Sequence, residues 1–302
     1  MSEARIAVCG ATGNQGRAVV RSLLASGRWE VVALTRSPEG EAARDLARAG
    51  ARLVRADLLD RASLVGAFRG ARGVFGVTQP WSPDYKHCDV RGEVRQGKNI
   101  VDACVEAGVE HLVLSTVLQL GDQKKTNVPH VDSKLEVESH ARAQPVPLTV
   151  LRPASFMDNI GSAFFPVRRG RVRGFVDADA KVPYIACSDI GALAAVALSA
   201  PSDLVGKTVN AVGDLASGED LVAALGKLRG GERFRYTAPP AFLMRLFARE
   251  FFTMRRAFEK YGRPPYPGLY ADAMAETLRW VPDVTTLEKF LEREGYASKA
   301  LG

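Results

Sequence analysis

The segment Gly10-Ala11-Thr12-Gly13-Asn14-Gln15-Gly16 constrains this chain more than any other. It follows an apolar run, Ile6–Cys9, and opens a helical pattern, Gln15–Ala25. A strand that passes through glycines directly into a helix presents the free N–H groups of the helix start to an anion. The glycines permit a tight turn and a close approach of backbone to phosphate. The spacing is G-x-x-G-x-x-G rather than G-x-G-x-x-G, so its position between strand and helix carries the reading: a site for a dinucleotide pyrophosphate.

The β–α unit recurs. Apolar runs at Val31–Leu34, Leu53–Arg55, Val74–Val77, Leu112–Ser115 and Leu148–Leu151 predict further strands. Helical patterns at Glu39–Ala49, Ala62–Phe68, Gly92–Ala107 and Ser133–Ala143 lie between them, with Asp60 as the N-cap of the helix at 62–68. Such alternation predicts an α/β fold, a Rossmann-type doubly wound parallel sheet over residues 1–153 with helices on both faces. Residues 154–302 are expected to form a smaller C-terminal α/β lobe, interleaved with the last strands of the main sheet. Its predicted elements begin with a strand at Val182–Cys187, a helix at Ile190–Leu198 capped by Ser188-Asp189, and a strand at Lys207–Val212. A helix opened by Ser217 with Asp220 and a strand at Phe234–Thr237 come next. A single helix is predicted over Phe242–Phe258, with Leu243, Leu246, Phe247 and Phe251 inward. A looser stretch, Tyr261–Tyr270, precedes a final helix, Leu287–Leu291, with Thr285 and Glu288 at capping-box spacing.

Composition excludes several classes. The 302 residues are 46% hydrophobic and 25% charged, as in a soluble globular protein. Lys and Arg number 41 against 34 Asp and Glu, a net charge of +7. The densest basic patch, Arg168-Arg169-Gly170-Arg171-Val172-Arg173, falls in a loop or strand edge with no docking motif or interleaved aromatics, and reads as a solvated face rather than a nucleic-acid surface. Cys9, Cys104 and Cys187 lie in apolar segments and Cys88 in a polar loop, none at C-x-x-C spacing. That suits reduced thiols in a cytoplasmic protein with no metal site. No apolar run reaches membrane length, so a membrane partner is not expected.

At the end of the second predicted strand an NAD site usually carries an acid for the ribose 2′-hydroxyl. Here the residues are Leu34-Thr35-Arg36-Ser37-Pro38. With no acid and an arginine whose planar fork suits a 2′-phosphate, NADP(H) is favoured over NAD. Asp57, beside Leu58, is placed either to accept from the adenine amino group or to cap a helix. Thr78 and Gln79 end the fourth strand, at the carboxyl edge where open α/β sheets bind ligands.

Taken together, Gly10–Gly16, Thr35-Arg36-Ser37-Pro38, Glu93-Val94-Arg95-Gln96-Gly97-Lys98, His130-Val131-Asp132-Ser133-Lys134 and Arg152-Pro153-Ala154-Ser155-Phe156-Met157-Asp158-Asn159 resemble the NmrA-like branch of the atypical short-chain dehydrogenases, above all its NADPH-sensing members. The resemblance spans about residues 5–295 and implies NADP(H) held between a Rossmann domain and a small lobe. By position it assigns cofactor contacts to Gly10, Thr12, Gly13, Asn14, Gln15, Gly16, Arg36, Asp57, Leu58, Thr78, Gln79, Arg95, Lys134, Ser155, Phe156 and Met157.

Catalytic members of that superfamily use Tyr-x-x-x-Lys, which places a phenol and an ammonium one helical turn apart for proton exchange with substrate. This chain keeps Lys134 but has His130 in the tyrosine's place, and Ser115-Thr116 where those enzymes put a substrate-orienting hydroxyl. Two functions follow. One is an NADP(H)-binding redox sensor that regulates a partner protein. The other is an NADPH-dependent oxidoreductase reducing a quinone, enone or flat aromatic carbonyl compound, with Lys134, His130 or water supplying the proton. Isoflavone-reductase-like and quinone-reductase-like relatives manage without the tyrosine. An apolar substrate pocket would draw on Trp81, Thr116, Phe156 and Asn159, with Phe164, Phe165 and Tyr184 nearby, in a monomer or homodimer.

Overall fold

The computed structural model describes residues 4–81, 88–119, 126–247, 249–261 and 268–301. The chain alternates β1 (Arg5–Val8), α1 (Asn14–Ala25), β2 (Glu30–Thr35), α2 (Glu41–Arg48), β3 (Arg52–Arg55), α3 (Arg61–Phe68), β4 (Ala71–Val77), α4 (Val90–Ala107), β5 (His111–Ser115), α5 (Pro129–Arg142) and β6 (Leu148–Pro153). Four short strands follow: β7 (Ser155–Phe156), β8 (Val167–Arg168), β9 (Arg171–Arg173) and β10 (Val182–Ile185). Next come α6 (Cys187–Ser199), α7 (Pro201–Leu204), β11 (Thr208–Ala211), β12 (Asp214–Ala216), α8 (Gly218–Leu228) and β13 (Arg235–Thr237). The chain closes with α9 (Ala241–Phe247), α10 (Arg249–Tyr261), α11 (Gly268–Trp280) and α12 (Leu287–Arg293).

Seven strands form one parallel sheet in the order β11-β6-β5-β4-β1-β2-β3, the Rossmann-type doubly wound α/β arrangement expected. The order reverses at β1, which lies between β2 and β4, so the loop after β1 opens at the switch point. Its central strands are buried on both faces, which is why they read as near-continuous apolar runs. One core layer joins Val32, Leu34 and Val74 of the sheet to Leu64, Phe68, Ile100 and Cys104 of α3 and α4. Cys9 and Cys104 lie there, and burial pushes the Cys9 thiol up to about 12.

The chain divides into two compact units. The first comprises Met1–Val117, His130–Pro153 and Cys187–Val209, the second Leu118–Pro129, Ala154–Ala186 and Asn210–Gly302. The second carries two three-stranded sheets, β12-β10-β7 and β13-β9-β8. Its core gathers Met157, Phe165, Val172, Leu221, Leu225, Phe290 and Tyr296, and the Tyr296 hydroxyl donates to the Ile160 carbonyl at 2.6 Å.

Two local readings hold in atomic detail. Asp60 caps α3 by accepting from the Ala62 and Ser63 N–H groups, and Ser217 with Asp220 forms a complete capping box on α8. Others are corrected. Helix α6 begins at Cys187, so Ser188 and Asp189 lie inside its first turn, where the acid still complements the helix dipole. The cap of α12 is Thr286, which accepts from Lys289 N–H, while Thr285 is buried beside it. The stretch 242–258 is two helices, with Ala248 outside the described residues, and Leu243 and Leu246 are exposed. Met244 faces inward instead, held against the Arg255 side chain that also donates to the Pro239 carbonyl. Part of Tyr261–Tyr270 lies outside the described residues, and Tyr270 belongs to α11, a helix the sequence pattern did not reveal.

Candidate functional site

The three glycines of the loop after β1 serve three different needs. Gly10 has φ +58°, a left-handed turn that disfavours other residues, and its carbonyl accepts from Gly13 N–H at 2.9 Å. A Cβ on Gly16 would fall 2.2 Å from that same carbonyl, so Gly16 lets α1 pack onto the loop. Gly13 needs neither. Its φ is −81°, it is exposed, and a Cβ there would approach Gly10 O only to 3.4 Å. What the missing side chain leaves open is the outer face of the helix start. Among the described residues no side chain caps α1, so its first N–H groups are available to an external anion. Arg17 shapes the loop by donating to the Thr12 carbonyl at 3.0 Å.

Around the carboxyl edge of the sheet, Arg36 is exposed at the end of β2, and its guanidinium has no partner among the described residues. Asp57 accepts from Leu59 N–H at 2.9 Å, a turn that leads into α3. The Leu58 carbonyl is held by Asn99 of α4 at 2.9 Å. Gln79 is exposed, with its N–H donating to Gln96. Ser115 donates to Gln15 at 2.6 Å, tying the end of β5 to the first turn of α1. Arg95 is exposed on α4.

Lys134 lies at the centre of a buried network. Its ammonium donates to Glu93 Oε1 at 2.6 Å, to Thr78 Oγ1 at 3.2 Å and to the Thr78 carbonyl at 3.3 Å. Thr78 Oγ1 donates to the same Glu93 oxygen at 2.8 Å, and Ser133 donates to the other. Glu93 is fully buried, while the Lys134 side chain keeps 14% exposure. The close approach of α5 to α4 that permits this depends on Gly97, where a Cβ would meet Val137 at 2.3 Å. Sequence reading singled out Lys134 and Thr78 but gave Glu93 and Ser133 no role. A signal was present: Glu93 falls on the buried stripe of α4 with Gly97, Ile100, Val101 and Cys104, and a carboxylate on such a stripe needs a cation.

A second network is built under the same helix. Glu138 accepts from Arg152 at 2.8 and 3.0 Å, from Arg142 at 2.7 and 3.0 Å, and from Thr116 at 3.3 Å. Burial raises the Glu138 pKa, but hydrogen bonds from Arg152 and then Arg142 outweigh it and hold the carboxyl below its usual range. Thr116 is buried, with its hydroxyl turned toward this carboxylate.

His130 opens α5 half-buried, its ring 5.8 Å from that of Trp81. Trp81 pairs with Cys88, and residues 82–87 lie outside the described chain. Ser155, Phe156, Met157, Asn159, Phe164, Phe165 and Tyr184 belong to the second unit. There Ser155 and Phe156 pair with Tyr184 and Ile185, Met157 is fully buried, and Phe164 packs against Phe175 and Phe251. Among the described residues no helix is long and apolar enough to cross a membrane, and no His, Cys, Asp and Glu group has a metal-binding arrangement.

Comparison with known proteins adds a family. The NmrA-like family model matches residues 2–291. An NmrA-like family domain-containing oxidoreductase of Cladobotryum sp, FrzB, is 33% identical over 254 residues, covering 76% of this chain and 75% of its own. The solved structure of NmrA, described as a negative transcriptional regulator, aligns with a TM-score of 0.77 at 21% identity, over 98% of this chain and 96% of that one. NmrA has also been solved with NAD and with NADP. An NADPH-dependent quinone oxidoreductase of Escherichia coli, solved with NADPH, aligns at TM-score 0.74 and 22% identity, over 96% and 99% of the two chains. With a family model spanning nearly its whole length over a Rossmann-type sheet, the chain belongs to the NmrA-like family.

Proposed function

We propose that this protein binds NADP(H) and acts as a redox sensor. The loop fits the cofactor: Gly13 lacks a side chain that its own fold would tolerate, in front of an uncapped helix start. Gly10, Thr12, Gly13, Asn14, Gln15 and Gly16 would hold the pyrophosphate, and Arg36 the 2′-phosphate. Asp57 and Leu58 would meet the adenine, Thr78 and Gln79 the ribose and diphosphate, and Lys134 with Arg95 the nicotinamide end. When bound in its reduced form, the dinucleotide would carry a transferable hydride at its nicotinamide ring.

The observation that carries the sensing role is the commitment of Lys134. Its ammonium is paired to the buried Glu93, and the residue one turn before it is His130, so there is no phenol for the lysine to tune, and its role would be to bind the ribose. NmrA, a regulator solved with both dinucleotides, has the same fold. A second reading, an NADPH-dependent oxidoreductase for a quinone, an enone or a flat aromatic carbonyl compound, is favoured by the oxidoreductase names of the curated relatives.

Titration of NADPH and NADH against wild type and Arg36→Ala tests the cofactor. NADPH is expected to bind more tightly, and the preference should shrink by about 10-fold or more in the variant, since hydrogen bonds to a charged group contribute about 1.5–3 kcal/mol. An unchanged ratio would refute the 2′-phosphate assignment. Steady NADPH oxidation with a panel of quinones and enones, abolished by Lys134→Ala, would replace the sensor with the reductase.

A further inference from the structure

The arginines set aside in the sequence as a solvated face are aligned by the fold. Strands β8 and β9 form a hairpin, and β13 runs parallel to β9 on its other side. Arg168 stands opposite Arg171, and Arg171 opposite Arg235. Residues directly opposite in neighbouring strands share a face, and strands lie about 4.8 Å apart, so three arginine stems leave one face in a single rung about 10 Å long. Arg173 lies two residues along on the same face, opposite Thr237. Val172 and Tyr236 point the other way, into the core of the unit.

This alignment works against stability. Like charges directly opposite on a sheet repel. At the hairpin tip Arg169 has φ +48° and Gly170 φ +69°, a turn that prefers Asn or Gly where Arg169 stands. Arg168, Arg169, Arg171, Arg173, Arg233 and Arg235 are all exposed, and none of their side chains has a partner among the described residues. Six arginine charges here compare with a net charge of +7 for the whole chain, so the rest of the molecule is close to balanced. A solvated face needs charge, but it does not need charge in register.

We propose that the Arg168–Arg171–Arg235 rung is a binding site for a soluble compound bearing adjoining phosphates. All six residues are arginine, whose planar fork takes phosphate oxygens two at a time. The charge is focused on one small sheet rather than drawn out as a stripe, and the aromatic residue of β13 turns inward, leaving no stacking platform for bases. That favours a compact polyphosphate over a nucleic acid. The rung belongs to the second unit, and the loop at Gly10–Gly16 to the first.

Isothermal titration of the full chain with sodium tripolyphosphate, with orthophosphate as comparator, tests this. Wild type should bind tripolyphosphate saturably and more tightly than orthophosphate, with affinity falling as salt rises. Arg171→Gln with Arg235→Gln should weaken it about 10-fold or more, as expected from losing charge-assisted bonds, and leave NADPH affinity unchanged. Equal tripolyphosphate affinity in the double variant, or no saturable binding by wild type, would overturn the proposal. Duplex DNA bound more tightly than tripolyphosphate, and lost in the same variant, would overturn it in favour of a nucleic-acid surface.

Discussion

The two ends of β5 bury polar side chains in opposite ways. At the amino end His111 is 4% exposed, and its Nε2 lies 2.8 Å from the Thr149 hydroxyl. That hydroxyl donates to the Leu204 carbonyl at 2.7 Å, so it accepts from the ring, and Nε2 carries the proton. The ring's Nδ1 is buried without a partner among the described residues. Burial draws the His111 pKa down from 6.5 to about 4, so the ring is neutral at pH 7. At the carboxyl end Ser115 and Thr116 are equally buried, but Thr116 faces a charged network, Arg142 and Arg152 on Glu138, and Thr78, just past the end of the neighbouring β4, meets another, Lys134 on Glu93. Where the strand only has to be enclosed, a titratable group is kept neutral. Where the sheet faces the glycine loop, charge is retained and neutralised by partners, which demands more of the surrounding geometry.

The largest effect should come from breaking a charged network. Glu138→Ala leaves Arg152 without its counter-charge, and removing one partner of a buried pair costs about 3–5 kcal/mol. Urea unfolding would show it as a lower midpoint. A loss below about 1 kcal/mol, the scale of an exposed pair, would mean that water reaches both guanidinium groups and would erase the contrast. The neutral end predicts a smaller, pH-dependent effect. Because His111 takes a proton more readily in the unfolded chain, its contribution is complete above pH 6.5, declines as pH falls, and is exhausted below about 4. The slope can reach about 1.4 kcal/mol per pH unit. Unfolding measured between pH 7 and 5 should be flatter in His111→Gln than in wild type. Glu138, whose carboxyl is held below its usual range, acts at lower pH: its stabilisation is present above the carboxylate range and is lost in stronger acid.

These networks also mark how far the residues could be read in order. The loop at 10–16, the β–α alternation and the caps at Asp60 and Ser217 depend on neighbours a few positions apart, and their spacing showed them. Glu93 and Lys134 are 41 residues apart, and Arg171 and Arg235 meet only through the register of two strands. Nothing local announces such pairs, although an acid on the buried stripe of α4 announces that some cation must be near. In the second unit the helical period at 242–258 was right and Phe251 does pack against Phe164 and Phe175, but Leu243 and Leu246 of the expected inward face are exposed. A seven-residue helix anchored by Met244 leaves Phe242 and Leu246 outside, a choice made by tertiary contacts and not by the pattern.

Ser115→Ala offers the finest test of the contrast. Among the described residues its hydroxyl makes one bond, to Gln15, and Gln15 is only half-buried, so water can replace the lost donor. The expected cost is about 1 kcal/mol or less, below either effect above. If the bond serves chiefly to set the first turn of α1 against the sheet, dinucleotide affinity should suffer more than stability, because the pyrophosphate would be held by N–H groups of that turn. A thermal melt shifted by a degree or two, with NADPH affinity several-fold weaker, would place Ser115 among the groups that position the glycine loop for a dinucleotide. A shifted melt with unchanged affinity would show that the carboxyl end of β5, like its amino end, buries hydroxyls to hold the fold.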